Sequence, residues 1–155
     1  MRRKDREVTD LQTVKYILDS SKVLHLGLSD NGKPYIVPMN YGYKLQDGRL
    51  EFYVHSALEG RKVEIIKQNP ECCAQLECNT ALKEGEIACK YGYTFYSLEG
   101  FGNITIISNP EDKIEALKNL MKLQTGKEFD FTNEMVESVL VLRIKCDSFT
   151  AKHRQ

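Results

Sequence analysis

The chain lacks several features that mark common protein classes. Its 155 residues hold no apolar run approaching the length of a membrane span and no signal-peptide h-region. Neither sign of charge is in excess: Lys and Arg number 22, Asp and Glu number 22, and the formal net charge is zero. Nucleic-acid binding usually needs a clear basic excess or stripe. The one basic cluster, Arg2-Arg3-Lys4, is broken at once by Asp5 and Glu7 and reads as a solvated terminus. Internal repeats, low-complexity segments and linkers are missing as well. The expectation is one cytoplasmic domain over 1–155, long enough for a real core and too short for two ordinary domains. Neither nucleic acid nor membrane is expected as a partner.

Cysteines are present in odd number, five, at 72, 73, 78, 89 and 146. Cys72-Cys73-x4-Cys78 invites a metal reading, which geometry opposes. Glu71–Glu77 reads as a strand, so Cys72 and Cys73 point to opposite faces. Cys72 and Cys78 share a face but stand about 20 Å apart along an extended strand, too far for one ion. We expect no metal site, and free thiols in a reducing compartment.

The periodicities predict an order of elements. Thr9-Asp10-Leu11-Gln12 has the form of a capping box, and Leu11, Val14, Ile17 and Leu18 follow at helical spacing, so a helix is predicted over about 10–20. Val23–Ser29 alternates as a strand, Asp30–Lys33 is a turn, and Tyr35–Tyr43 resumes extended structure, with Pro34 and Pro38 marking an irregular or edge strand. Gln46-Asp47-Gly48 turns into the strand Leu50–Val54. A helix is expected over about 58–69, then a strand Cys72–Cys78, a loop from Asn79 to Lys90, and a long extended stretch made of Tyr93–Leu98 and Gly100–Ile107, with bulges or bends at Gly100 and Gly102. Asn109-Pro110-Glu111 opens a helix that Gly126 ends. A short helix near Thr132–Glu137 precedes a last strand, Val139–Ile144. Turn-linked strands in this number favour an antiparallel sheet closed into a barrel, with helices outside.

The junction His55-Ser56-Ala57-Leu58-Glu59-Gly60-Arg61-Lys62 carries the most chemistry. A strand turning directly into a helix presents free N–H groups and the positive dipole end, which suits a phosphate. The apolar stripe Leu58, Ile65, Ile66 has Lys62 in its middle, and a lysine is rarely buried without a partner. Either an anion meets Lys62 or its stem lies on the core while the amine reaches water. Ser56-x-x-Glu59 is also a capping box, which needs no ligand. On residue chemistry alone, an anion site and a plain capped helix fit equally well.

Taken in order, the motifs resemble a known family. They are Met1–Asp10, Tyr35-Ile36-Val37-Pro38-Met39-Asn40-Tyr41-Gly42-Tyr43, Phe52-Tyr53-Val54-His55-Ser56-Ala57-x-x-Gly60-Arg61-Lys62, Tyr96-Ser97-Leu98-Glu99-Gly100-Phe101-Gly102 and Thr150-Ala151-Lys152. The chain resembles the split-barrel flavoproteins related to pyridoxamine 5′-phosphate oxidase, within them the 5-nitroimidazole-resistance (Nim-like) group, over nearly its whole length. The resemblance implies a mainly β fold, a six-stranded antiparallel split β-barrel, that forms a homodimer and binds FMN at the subunit interface. It implies that His55, Ser56, Gly60, Arg61 and Lys62 surround the flavin phosphate, and that backbone at Pro38, Met39, Asn40 and Tyr41 flanks the isoalloxazine. Tyr96, Ser97 and Lys152 would approach from a neighbouring strand or subunit. The family often has a glycine before that lysine, where this chain has Ala151.

Two functions follow from the resemblance. One is a flavin-dependent oxidoreductase acting on a small molecule such as a nitroaromatic, with the flavin carrying the redox chemistry. His55 is the best candidate for a catalytic role there, although phosphate binding would occupy it. The other is a non-catalytic flavin- or haem-binding protein, haem needing an axial ligand, most simply a histidine. The same phosphate turn serves FMN or FAD. No G-x-G-x-x-G follows a strand. Without the resemblance, Tyr41, Tyr43, Tyr53 and Tyr96 read as barrel aromatics, His25 as a satisfied core residue, and His153 as solvent-exposed near a frayed end.

Overall fold

The computed structural model describes residues 3–155. Met1 and Arg2, part of the basic start and of the first motif, lie outside them. After a 3-10 turn at Lys4–Arg6 the elements are β1 (Glu7–Val8), α1 (Leu11–Ser20), β2 (Leu24–Asp30), β3 (Lys33–Met39), β4 (Gly42–Gln46), β5 (Arg49–Ser56), α2 (Arg61–Gln68), β6 (Glu71–Lys83), β7 (Gly92–Ile107), α3 (Pro110–Thr125), α4 (Asn133–Glu137) and β8 (Leu140–Arg154). A further 3-10 turn, Ala88–Lys90, sits between β6 and β7. Among the described residues no helix is long and apolar enough to cross a membrane.

Local chemistry sets the helix ends. Asp10, not the expected Thr9, caps α1, its carboxylate accepting the Thr13 N–H at 2.8 Å. Asp10 stands immediately before the first helical residue and so takes the free N–H that a capping box would have given to Thr9. Asn109 caps α3 by accepting from Glu111 and Asp112, Pro110 fills the first helical position, and Gly126 ends the helix at φ 74°.

All ladders are antiparallel, in the order β3-β2-β6-β7-β8-β5-β4, with β1 added against β8. The two ends of this path, β3 and β4, are successive in the chain and joined by Asn40 and Tyr41 alone. The sheet therefore curls until its edges meet at a covalent link, giving a mainly β split barrel with peripheral helices. Among the described residues eight strands are found where six were expected. One extra is the two-residue β1; the other arises because Tyr35–Tyr43 is two strands, not one. Pro38 offers no ladder donor, and the buried Tyr41 turns the chain inward between them.

The register lines up the core. Met39, Leu24, Leu76, Leu98, Ala151 and Val8 form one inward row across β3, β2, β6, β7, β8 and β1, all buried. Beside Glu77, midway along β6, α1 adds Val14, Ile17 and Leu18; beside Glu71, where β6 begins, α2 adds Ile65 and Ile66. Burying each such side chain stabilises by about 1.5–3 kcal/mol. A second, smaller core lies outside the barrel, where Ile107 and Val141 meet Ala116, Leu117 and Val136 of α3 and α4.

Two further expectations are corrected. The segment from Asn79 is not all loop: β6 continues to Lys83 through a bulge between Cys78 and Ala81. The long extended stretch expected over Tyr93–Ile107 is one strand, with a bulge at Gly102 as expected, while Gly100 stays in register opposite Phe149. The last strand runs to Arg154 rather than stopping at Ile144, because both β7 and β1 pair with its second half. His153 is consequently half-buried, with its ring stacked on Tyr96 at 5.4 Å, and is not frayed. His25 is bonded through Nδ1 to Gln75 Oε1 at 3.0 Å.

The cysteines alternate as a strand requires: Cys72 is buried in the core and Cys73 faces outward, half-buried. Burial pushes the Cys72 and Cys146 thiols up to about 12, while Cys89 is exposed.

Two outcomes follow from this packing. Gly42 lies under α3, where an added Cβ would meet Asn119 Oδ1 and stand 2.6 Å and 2.7 Å from Leu120 N and Cα; at Gly27 the nearest atom would be 3.5 Å away. Gly42→Ala should therefore cost about 3 kcal/mol and Gly27→Ala less than about 1 kcal/mol, read by urea denaturation. The thiol shifts give the second. A raised folded-state pKa contributes stability that is complete below the unfolded thiol value, about 8.5, and is lost as pH climbs toward about 12. The urea midpoint should fall between pH 8 and pH 11, less steeply in Cys72→Ala, and a thiol reagent at pH 8 should label Cys89 well before Cys72 or Cys146.

Candidate functional site

Strand β5 delivers the junction. Leu50, Phe52, Val54 and Ser56 point inward and are buried, while Glu51, Tyr53 and His55 point out. His55 is exposed and makes no side-chain hydrogen bond among the described residues, so it and Ser56 serve opposite faces. The expected capping box does not form. Helix α2 starts at Arg61, five residues past Ser56, and Glu59 is exposed. Leu58 lies outside the helix, 54% exposed; the apolar stripe is Val63, Ile65 and Ile66.

The N-cap of α2 is Gly60, at φ 127° and ψ 169°, and no side chain caps the helix. Only glycine adopts this backbone freely. Gly60 accepts from the Val63 and Glu64 N–H groups at 2.9 and 3.1 Å, and nothing lies within 4 Å of where its Cβ would stand. The first turn of α2 therefore faces open space with free N–H donors, the arrangement that attracts an anion.

Two cations sit on this turn. Lys62 is half-buried, burial lowers its pKa, and it has no ion pair among the described residues. Arg61 is engaged elsewhere: its Nε and Nη2 donate to Asp30 Oδ2 at 3.3 and 3.0 Å, and its guanidinium lies 4.8 Å from the centre of the Tyr35 ring.

Pro38 and Met39 end β3, and Asn40 and Tyr41 link it to β4. The β4–β5 ladder stops at Gly42↔Tyr53; extending its register sets Tyr41 level with Val54 and Asn40 level with His55. The ladder does not continue to that level. Asn40 donates to the Lys22 carbonyl at 3.2 Å and to Gln124 Oε1 at 3.4 Å. Tyr41 is wholly buried, edge-on to Phe52, and its hydroxyl donates to the carbonyls of Leu18 and Ser21 at 2.7 and 3.2 Å. Its side chain is a core element, and its carbonyl accepts from Gln124 Nε2 of α3 at 2.9 Å.

Tyr96, Ser97 and Lys152 form a separate group. Ser97 opposes Lys152 and Tyr96 opposes His153 across β7 and β8. Tyr96 also meets Tyr16 of α1 edge-on, and Lys152 lies 5.9 Å from the Phe95 ring centre. Strand β7 is three steps round the sheet from β3, on the order of 14 Å. One chain thus sets Pro38–Tyr41 level with His55–Ser56 and leaves Tyr96, Ser97 and Lys152 apart.

A cleft of about 1110 Å³ between α1, β4 and α3 holds none of the candidate cofactor residues, although Tyr43 and Tyr53 of the sequence motifs line it. Tyr43, Tyr53 and Phe129 wall it, with Lys118 and Lys122 at its edge paired to Asp130 and Glu128 at 3.2 and 2.9 Å. Tyr43 donates to Asp19 at 2.7 Å, and burial, then Glu51, raises the Tyr53 phenol to about 12. The only sequence signal was Lys118-x3-Lys122, one turn apart on α3 beside its apolar stripe.

Comparison with known proteins places these features. A family model described as pyridoxamine 5′-phosphate oxidase matches residues 10–153. Among solved structures, a candidate 5-nitroimidazole antibiotic resistance protein of Bacteroides thetaiotaomicron is 29% identical with a TM-score of 0.82, covering 95% of this chain and 86% of its own. The flavocytochrome Anf3 of Azotobacter vinelandii is 22% identical with a TM-score of 0.80, over 100% of this chain and 72% of that one. An FAD- and haem-binding protein of Mycobacterium smegmatis is 15% identical with a TM-score of 0.82, over 97% and 74%. These last two likenesses bear on the fold alone. No curated protein matches the chain.

Proposed function

The chain belongs to the pyridoxamine 5′-phosphate oxidase family, and on that footing we propose that it binds a flavin, FMN, and acts as an oxidoreductase on a small molecule of the nitroaromatic class. One observation carries the reading: Lys62, half-buried and without a carboxylate partner among the described residues, lies at the uncapped start of α2 behind the open approach at Gly60. These residues fit a phosphate, which would restore the electrostatic balance that burial has taken from Lys62. The same turn accepts the pyrophosphate of FAD. The Bacteroides protein supports the nitroimidazole class by likeness.

Roles for the chain's own residues follow. Lys62 and Arg61 hold the phosphate, Gly60 admits it, and the first-turn N–H groups of α2 donate to it. The Pro38–Tyr41 link would set backbone beside the edge of the ring, and the outward His55, level with Asn40 by register, would meet substrate or phosphate. When bound, the flavin supplies the electron transfer, and the protein orients it and limits access. Five free thiols fit a reducing compartment, the cytoplasm.

The functional unit in this proposal is a homodimer with the flavin at its interface. Tyr96, Ser97 and Lys152 stand apart from the junction in one chain and would reach the flavin of the other. An outward row across the sheet fits a second copy. Ile36, Gly27, Cys73 and Phe101 are register neighbours, with Ile36 67% and Phe101 51% exposed.

A second reading draws on the neighbours described as a flavocytochrome and as FAD- and haem-binding: a carrier of flavin or haem without turnover. His55, exposed and without a side-chain hydrogen bond, leaves a ring nitrogen for an axial bond.

The visible spectrum of the purified protein separates these readings, flavin bands for the first and a Soret band for the second. A colourless protein that takes up neither added FMN nor haem would overturn both. Lys62→Ala should weaken FMN by about 1.5–3 kcal/mol, a ten- to hundredfold rise in Kd by fluorescence titration. Phe101→Asp with Ile36→Asp should give a monomer in sedimentation and lose FMN at the same time; a flavin-loaded monomer would contradict the shared site.

A further inference from the structure

We propose that Asp30 and Tyr35, at the β2–β3 hairpin, are positioning residues that aim the free edge of the Arg61 guanidinium at the anion held on the α2 turn. The inference rests on the phosphate reading of that turn. No motif marked Asp30: in the sequence it is only the first residue of a turn, 31 positions before Arg61.

The geometry is specific. A guanidinium is planar and carries five N–H donors in a fixed fork. Asp30 Oδ2 takes one edge, through Nε at 3.3 Å and Nη2 at 3.0 Å. The Tyr35 ring covers the cation, with the guanidinium carbon 4.8 Å from its centre, a distance that holds a cation on a ring face. The stem is fixed because Arg61 is the first residue of α2, and α2 packs on β2, the strand that ends at Asp30. Three constraints are thus met, and the Nη1 group with one N–H of Nη2 remains unused. That remaining pair is the fork that grips an anion bidentately.

Stability does not account for the arrangement. Arg61 is 61% exposed at its side chain, and ion pairs so exposed contribute little. What the contacts do supply is order. Arginine has a long stem whose rotamer freedom is lost on binding a ligand, and a stem already held loses less. Lys62 differs, since burial on the core side of the helix already restricts it. The two cations are therefore prepared by different means, Lys62 by packing and Arg61 by a carboxylate and a ring from another hairpin. Tyr35 and Asp30 become part of the site without touching the ligand.

The experiment is a double-mutant cycle on the full chain, stripped of flavin and titrated with FMN by fluorescence quenching. Asp30→Asn should raise the Kd about five- to tenfold in the wild-type background and have no further effect in Arg61→Ala. Asp30→Glu, which keeps the carboxylate, should recover most of the affinity, and thermal midpoints should stay close to wild type, separating positioning from a folding defect. Tyr35→Leu should act in the same direction as Asp30→Asn and supplies the comparison if that variant does not fold. Unchanged or tighter FMN binding by Asp30→Asn would overturn the proposal, as would an equal loss in the Arg61→Ala background. A wild-type chain that takes up no FMN would sink the flavin reading, and this inference with it. A wild-type chain that binds while Asp30→Asn matches it would sink the inference alone.

Discussion

Tyr41 buries its ring against Phe52 and donates its hydroxyl to the Leu18 carbonyl, so the end of α1 is tied to the point where β3 and β4 part. A phenol in an apolar core must find an acceptor, and this one finds two, at Leu18 and Ser21. Burial raises its pKa, which keeps the donor proton in place. The bend that results has consequences through the whole barrel. It ends the β4–β5 ladder at Gly42 and brings the Asn40–Tyr41 link against α3, where Gln124 meets the Asn40 side chain and the Tyr41 carbonyl.

The other end of the barrel shows a different economy. Helix α2 closes it with Ile65 and Ile66, and the same packing draws Lys62 partly out of water. An uncapped helix start and a half-buried cation are each mildly unfavourable in isolation. Together at one turn, behind a glycine that leaves the approach open, they are complementary to an anion. Arg61, bound to Asp30, shows that the turn is also braced from β2, so the cations do not depend on the ligand to be in place.

Much of the fold was legible in the sequence because its signals are local. Alternation marked β2 and β5, helical spacing marked α1 and α3, and Asn109-Pro110 with Gly126 bracketed α3 to within a residue. The misses share a cause. Ser56-x-x-Glu59 and Thr9-x-x-Gln12 have the pattern of capping boxes, but the pattern does not say where the helix begins; a glycine at 60 and an aspartate at 10 decided that. The second half of β8 has little strand pattern of its own and is extended because β7 and β1 flank it. His153, read as a loose terminal residue, is held by the Tyr96 ring for the same reason.

The candidate site divides along the same line. Residue types and spacing alone drew attention to His55–Lys62, since a strand-to-helix turn with glycine and two cations is a contiguous signal, but left an anion site and a plain capped helix equally fitting. Resemblance to a family, also read from sequence, joined to it the residues at 38–41, 96–97 and 152. What only the tertiary structure decided is which cation is free and which is held. Asp30 and Tyr35 reach Arg61 because an antiparallel hairpin returns beside α2, and sequence distance carries no information about that meeting. The large cleft beneath α3 was likewise invisible, because its walls come from α1, β4 and α3, elements whose faces meet only once the sheet has curled. Local propensity and pattern are written residue by residue, whereas a site assembled from separate elements exists only after hydrophobic burial has set their register and packing.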